Sequence, residues 1–306
     1  MRLVLFNDYT PGVLRGDNVV DVSDVVVDIP HIDAQTWMRG LIDRFDDYRG
    51  KLEDAAANSE GVPISDVRLR APLPEPTRIA CMAGNYLENG KLPFPTDREA
   101  FLKSPSAVIG DGDTVELPDA PVPHFHHEAE LGLVIGKNST DVPAEKAAGH
   151  IFGYLNFMDV SARGVNPNGG SSFFWGKSWD TFCPLGPVIV TADEVDDAQN
   201  LDIKLWVNGE PRQDHNTSDM GRTVEETVEF ITWITTMKAG DVIATGTNHV
   251  GLGPIQHGDV ITEEIGDFGL LTVNVTDPWK RTWPRLPLNK MSAFESSIRS
   301  KSQSVE

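Results

Sequence analysis

The segment Val122-Pro-His-Phe-His-His-Glu-Ala-Glu-Leu-Gly-Leu-Val-Ile-Gly136 constrains this chain more than any other. Its second half reads as a buried strand, while its first half is crowded with ionisable groups. In extended backbone the side chains alternate, so His124, His126, Glu128 and Glu130 share one face and Phe125, Ala129 and Leu131 the other. Two carboxylates on one face repel. That costs little at a solvated edge, but beside a core strand it is destabilising unless a cation lies between them, and hard oxygen ligands select Mg²⁺, Mn²⁺ or Ca²⁺. A Glu-x-Glu pair alone reads more readily as solvated strand carboxylates, so the metal reading needs further acids. Asp159 supplies one in Gly153-Tyr-Leu-Asn-Phe-Met-Asp-Val-Ser-Ala-Arg163, and Lys177 follows in Gly176-Lys-Ser-Trp-Asp-Thr-Phe-Cys-Pro-Leu-Gly186. Three acids and a lysine can form a site.

Around this segment the chain has the texture of a mixed, mainly β protein. Its 306 residues suit one large β-rich domain with a smaller appendage. The hydrophobic fraction of 40% and charged fraction of 24% are those of an ordinary globular chain. The opening predicts a hairpin, with Leu3 to Phe6 as a strand and a Gly16-Asp17 turn between apolar runs. Trp37, Leu41, Phe45 and Tyr48 recur at helical spacing between Asp33 and Arg49, with Gly50 as the expected stop. The proline-rich run Pro72-Leu-Pro-Glu-Pro76 cannot continue a ladder, which places a boundary between a small α+β N-terminal domain (1–75) and a catalytic domain (76–290). The Ser-rich stretch 291–306 reads as a loose tail. Beyond Pro76, short apolar runs punctuated by Gly and Pro predict strands, interrupted by one helix on which Val224, Val228, Ile231 and Ile234 share a face, with Ser218 as its cap. The turns at Gly240-Asp241 and Gly258-Asp259 suit a closed or rolled β core.

Charge excludes several partners. The formal net charge is -20, with Asp+Glu 46 against Lys+Arg 26, and no basic cluster is present to neutralise nucleic acid or anionic lipid. An anionic substrate remains compatible, because a bound dication and a few local Lys or Arg residues can override the global field inside one cleft. Cys81 and Cys183 lie in apolar surroundings, as small buried hydrophobes in a reducing compartment. The N-terminal apolar run is too short for a signal peptide and no later stretch could span a bilayer, so the expected location is the cytoplasm.

Five strings occurring in order carry a family resemblance: Glu128-Ala-Glu130-Leu, Asp159-Val-Ser-Ala-Arg163, Lys177-Ser-Trp-Asp-Thr-Phe-Cys-Pro-Leu-Gly-Pro187, Val207-Asn-Gly209 and Gly240-Asp-Val-Ile-Ala-Thr-Gly-Thr247. Over roughly Arg78 to Trp283 the chain resembles the fumarylacetoacetate hydrolase family. That resemblance implies a β-roll or β-sandwich catalytic domain, commonly in a homodimer, with a divalent ion on Glu128, Glu130 and Asp159. Such an ion would bind a 2-oxo acid or diketo acid and stabilise its enolate. By the same resemblance Lys177 adds positive charge near the substrate oxygens, and Thr245, Gly246 and Thr247 hold its carboxylate. Arg163 either binds substrate carboxylate or forms a structural ion pair.

The chain also departs from the family. Hydrolytic members carry a histidine and, three residues later, a glutamate that activate water. The aligned positions here are Asn89 and Leu92, with Glu88 as a partial substitute. His126 and His249 are the candidates for a relocated base, against ordinary roles as hydrogen-bonded support and loop polarity. The leading expectation is therefore metal-dependent hydrolysis of a C–C bond in an acylpyruvate. A decarboxylase or tautomerase of 2-oxo acids, which demands less of a water-activating pair, is the alternative, and a non-catalytic metal-binding relative the second.

Overall fold

The computed structural model describes residues 1–164 and 172–287. The expected tail, and the Asn168 to Ser171 part of the Gly-Ser run, lie outside them. The strand Ala129–Ile135 occupies the middle of the molecule and is buried along its whole length. Leu131, Leu133 and Ile135 join one apolar cluster, while Val134 joins another on the opposite face. A strand covered on both sides needs a near-continuous apolar run, which is what Leu131 to Ile135 supplies.

Its neighbours extend a twelve-stranded open sheet. Ile151–Met158 and Cys183–Thr191 lie on one side, and Val242–Ala244, Ile79–Ala83 and the edge strand Glu99–Lys103 on the other. The N-terminal strands continue this sheet directly, because Arg2 pairs with Val190 and Leu3 with Ile189. The Pro72 to Pro76 run thus marks a change of texture, while the hydrogen-bonded ladder crosses between the two parts elsewhere. A five-stranded sheet that includes Asp202–Val207, Glu210–Asn216 and Val260–Ile265 packs over one apolar face, and the helices Ala34–Asp43 and Phe45–Asn58 over the other. None of the described sheets closes on itself, so the rolled core is realised as stacked open sheets.

The Gly16-Asp17 hairpin forms as expected, with Arg15 opposite Asn18 and Gly16 at a φ of 56°. The expected single helix is two. Asp33 caps the first in a box with Thr36, and Arg44 leaves helical geometry at φ -123°, ψ 27° between them. Gly50 does not stop the second helix, which runs to Asn58. The roughly 1 kcal/mol cost of an exposed helical glycine is smaller than the ~2 kcal/mol gained by burying Leu52 beyond it. The later helix, Val224–Ile234, is capped by Thr223, whose hydroxyl accepts from Glu226 N while the Glu226 carboxylate reaches back to Thr223 N. Ser218 sits instead in the short turn Thr217–Asp219, and Ile234 is exposed at the end of the helix stripe. Among the described residues no helix is long and apolar enough to cross a membrane.

Candidate metal centre and active site

The alternation across the acidic segment breaks once. Phe125–His126 pairs with Ser161–Ala162 and with Pro254–Ile255, His127 and Glu128 leave the ladder, and pairing resumes at Ala129. Asp159 N donates to Glu128 O, so Asp159 faces Glu128 directly after the Ile151–Met158 strand ends. Glu128, Glu130 and Asp159 are thereby brought together, with ligand oxygens within 4.8 Å of one another, and all three are buried.

Cations already surround this cluster. Lys177 ends the short helix Phe173–Lys177, and its Nζ lies 2.6 Å from Glu128 Oε2 and 2.5 Å from Asp159 Oδ2. Lys103, at the end of the edge strand, places its Nζ 2.5 Å from Asp159 Oδ1. Arg163 Nη2 pairs with Glu128 Oε1, while its Nε donates at 3.0 Å to His126 Nδ1. Burial pushes the Glu128 carboxyl up, but Lys177 and Arg163 overcome it and hold it at about 2. Burial works against the Lys177 ammonium, but Asp159 and Glu128 keep its pKa above the usual lysine value.

Glu130 differs from its two neighbours. Its Oε2 accepts from Gly246 N at 2.8 Å, and burial together with the charges on Asp159 and Glu128 pushes its carboxyl well above the carboxylate range. Glu263 sits behind it, equally buried, with Oε1 accepting from Glu130 N at 3.2 Å and Oε2 without a hydrogen-bond partner. Among the groups named here, four carboxyls face two lysines and one arginine. A divalent cation on Glu128, Glu130 and Asp159 fits this donor set, because it relieves the carboxyl that the ammonium groups leave uncompensated.

The remaining candidates divide. Thr245 Oγ1 donates to Leu131 O at 3.0 Å and Thr247 Oγ1 to Ala129 O at 2.8 Å, so with Gly246 N on Glu130 these donors hold the loop and a ligand rather than face open space. His126 is fully buried, and burial lowers its pKa well below the usual histidine value, which makes it a neutral acceptor for Arg163. Lys103 escaped the sequence reading. Its signal was a lysine in the alternating run Glu99-Ala-Phe-Leu-Lys103, which looks like a solvated edge until the strand is placed beside Asp159. Both thiols are buried and raised by burial, Cys183 to about 12.

His249 meets Glu88. Its Nδ1 lies 2.6 Å from Glu88 Oε1, and its backbone N donates at 2.9 Å to Glu88 Oε2. The two residues are 161 positions apart in the chain. A nitrogen facing a carboxylate carries the proton, so Nδ1–H is donated to Glu88 and Nε2 is the ring nitrogen left for a water or substrate. The His249 loop is tied to the acidic segment through Gln213, whose Nε2 donates to Asn248 O at 2.7 Å and whose Oε1 accepts from Ala129 N at 3.1 Å. Asn89 and Leu92, the positions at which the family resemblance led to the expectation of a histidine and a glutamate, instead shape the turn that carries Glu88.

An open β fold with a buried Glu-Glu-Asp cluster that could hold a metal ion, buried lysines against it and a His–Glu pair on nearby loops is the class of site the geometry offers. The chain belongs to the fumarylacetoacetate hydrolase family: the family model described as fumarylacetoacetate (FAA) hydrolase C-terminal matches residues 78–276. A maleylpyruvate hydrolase of Aquipseudomonas alcaligenes is 33% identical over 291 residues, covering 90% of this chain and 99% of the relative. The Xenopus laevis mitochondrial oxaloacetate tautomerase fahd2 is 35% identical, covering 89% of each chain. Among solved structures, maleylpyruvate hydrolase from Sphingobium sp. SYK-6 in complex with manganese(II) and pyruvate is 36% identical with a TM-score of 0.82, over 90% of this chain and 99% of that one.

Proposed function

We propose that this protein is a divalent-metal-dependent hydrolase that cleaves a C–C bond in an acylpyruvate or similar β-diketo acid, with His249 as the base. The observation that carries the reading is the Glu88–His249 contact, on a loop tied through Gln213 to the acidic segment, which offers from two distant segments a His–Glu pair in place of the one expected at Asn89 and Leu92. His249 Nε2 takes a proton from water, Glu88 stabilises the resulting imidazolium, and hydroxide adds to the acyl carbon. The bond to the pyruvyl carbon then breaks, that carbon recovers the proton, and the products are a carboxylic acid and a 2-oxo acid. When bound, a divalent ion supplies Lewis-acid stabilisation of the charge that builds on the 2-oxo oxygens. Lys177 offsets the charge of Glu128 and Asp159, and Arg163 offers the exposed side of its guanidinium to a substrate carboxylate. Thr245, Gly246 and Thr247 serve the substrate through the loop and through Glu130.

The ion is Mg²⁺ or Mn²⁺, with Ca²⁺ as the third hard-oxygen candidate, and the expected state is a cytoplasmic homodimer, which light scattering on the eluted peak checks. The manganese and pyruvate named for the Sphingobium structure support the ion and the 2-oxo acid class. A tautomerase of oxaloacetate-like acids is the second reading, supported by the Xenopus relative, since the same base can move a proton on the carbon between two carbonyls. Purified protein with Mn²⁺ is incubated with an acylpyruvate and, separately, with oxaloacetate. Release of a carboxylic acid with pyruvate is expected. Accelerated keto–enol exchange alone, or CO₂ from oxaloacetate alone, would sink hydrolysis.

A further inference from the structure

Glu88, Asn89 and Gly90 form three consecutive residues at positive φ, 59°, 58° and 73°. Glu88 carries a side chain that disfavours this region while Asn89 tolerates it, so the turn depends at Glu88 on surroundings that hold it. Successive left-handed residues converge their N–H groups into an anion-binding concavity, and Asp219 fills it. Its Oδ2 accepts from Asn89 N at 2.8 Å and its Oδ1 from Gly90 N at 3.2 Å, while its backbone O accepts from Leu87 N at 2.9 Å.

Asn248 ties that turn to the loop bearing His249. Its fully buried amide donates from Nδ2 to Asp219 Oδ2 at 2.8 Å and to Asn89 Oδ1 at 2.9 Å, and its Oδ1 accepts from Val250 N at 2.8 Å. Its backbone O accepts from Gln213 Nε2 at 2.7 Å, and Gln213 Oε1 in turn accepts from Ala129 N at 3.1 Å, next to Glu128 and Glu130. Both donors and the acceptor of the Asn248 side chain are therefore used, each on a different stretch of backbone or side chain. An amide is required here. A carboxylate would repel Asp219, and a hydroxyl cannot reach three partners.

We propose that Asn248 and Asp219 are positioning residues for the Glu88–His249 pair. They fix the left-handed turn against the His249 loop, so that Glu88 meets Nδ1 and the imidazole keeps Nε2 as its free acceptor. The inference rests on the proposed role of His249 as the base, but it makes a claim about imidazole geometry that stands apart from turnover.

The test uses full-length protein with ¹⁵N-labelled histidine, the His249 signal being assigned by its loss in His249→Gln. In the wild type His249 gives the Nδ1–H tautomer, and in Asp219→Asn, which preserves volume, and in Asn248→Ala it gives a mixture. An unchanged tautomer in both variants with intact melting temperature would overturn the proposal, whatever His249 does in turnover. Kinetics at saturating Mn²⁺ complete the test. Each substitution lowers kcat about tenfold to a hundredfold with KM little changed, and adds less than twofold in the His249→Gln background. An equal loss in both backgrounds would show the two residues acting by another route. If His249→Gln itself leaves kcat unchanged, the base assignment fails, and the tautomer measurement alone decides the positioning. Asn248→Ala melting far below the wild type while Asp219→Asn retains the wild-type tautomer would reduce Asn248 to a packing residue and overturn the pairing of the two.

Discussion

The acidic centre and the Glu88–His249 pair lie side by side but are built by opposite means. Glu130 lies in a strand and Glu128 and Asp159 at the adjoining ends of that strand and its neighbour, all three buried and locked by Lys103 and Lys177. The histidine and glutamate come from two loops, are partly exposed, and are joined by side-chain amides and a strained turn. A strand-built site couples function to stability, because its charges are compensated only in the folded chain. A loop-built pair, by contrast, can change without disturbing the core.

The largest effect belongs to the strand-built half. Asp159→Ala leaves two buried lysines without their shared partner, so thermal unfolding should show a loss of about 3–5 kcal/mol, and titration calorimetry no Mn²⁺ binding. Retention of wild-type melting would break the claimed coupling of centre and core. Glu88→Gln tests the other half. It removes the charge that stabilises the imidazolium, and kcat should fall on the order of 10²-fold with metal affinity and melting temperature unchanged. A parallel loss of metal affinity would show that the two halves are not separable.

How much of this was legible in the sequence follows the same division. Period-two alternation sufficed to put Glu128 and Glu130 on one face, and an acid just past an apolar run marked Asp159, since a strand register repeats over several residues and leaves a pattern. Lys103 was missed because a lysine closing a strand reads as a solvated edge, and only the approach of Asp159 reveals its burial. His249 was singled out, but its partner could not be fixed, because a contact across 161 residues between irregular loops has no periodicity. In the helices, Asp33 signalled the start, whereas the break at Arg44 and the continuation past Gly50 depend on what Leu52 packs against. For the substrate-carboxylate role of Thr245, Gly246 and Thr247 the motif was legible, but the direction of its donors was not.

His215 lies next to the loop-built half, with its ring against Tyr86 just before the Glu88 turn. Burial lowers its pKa from 6.5 to about 4 and neither ring nitrogen has a partner. The unfolded chain therefore takes up a proton between pH 6.5 and 4 that the folded chain refuses. The contribution of neutral His215 is fully present above pH 6.5 and shrinks as pH falls, by about 2 kcal/mol between pH 7 and pH 5. His215→Leu should flatten that part of the stability–pH curve measured by urea unfolding, and an unchanged slope would remove His215 from the acid response. The smallest effect is expected far from both halves. Thr223→Ala removes the helix cap, costing about 1 kcal/mol in urea unfolding, with kcat unchanged.

The central claim, that this chain performs its chemistry with a relocated base beside a strand-built metal centre, is tested most directly by His249→Gln. Turnover of an acylpyruvate at saturating Mn²⁺ is measured together with the Mn²⁺ dissociation constant. The account predicts a fall in kcat of roughly 10²- to 10⁴-fold with the dissociation constant unchanged. Wild-type turnover by this variant would contradict it.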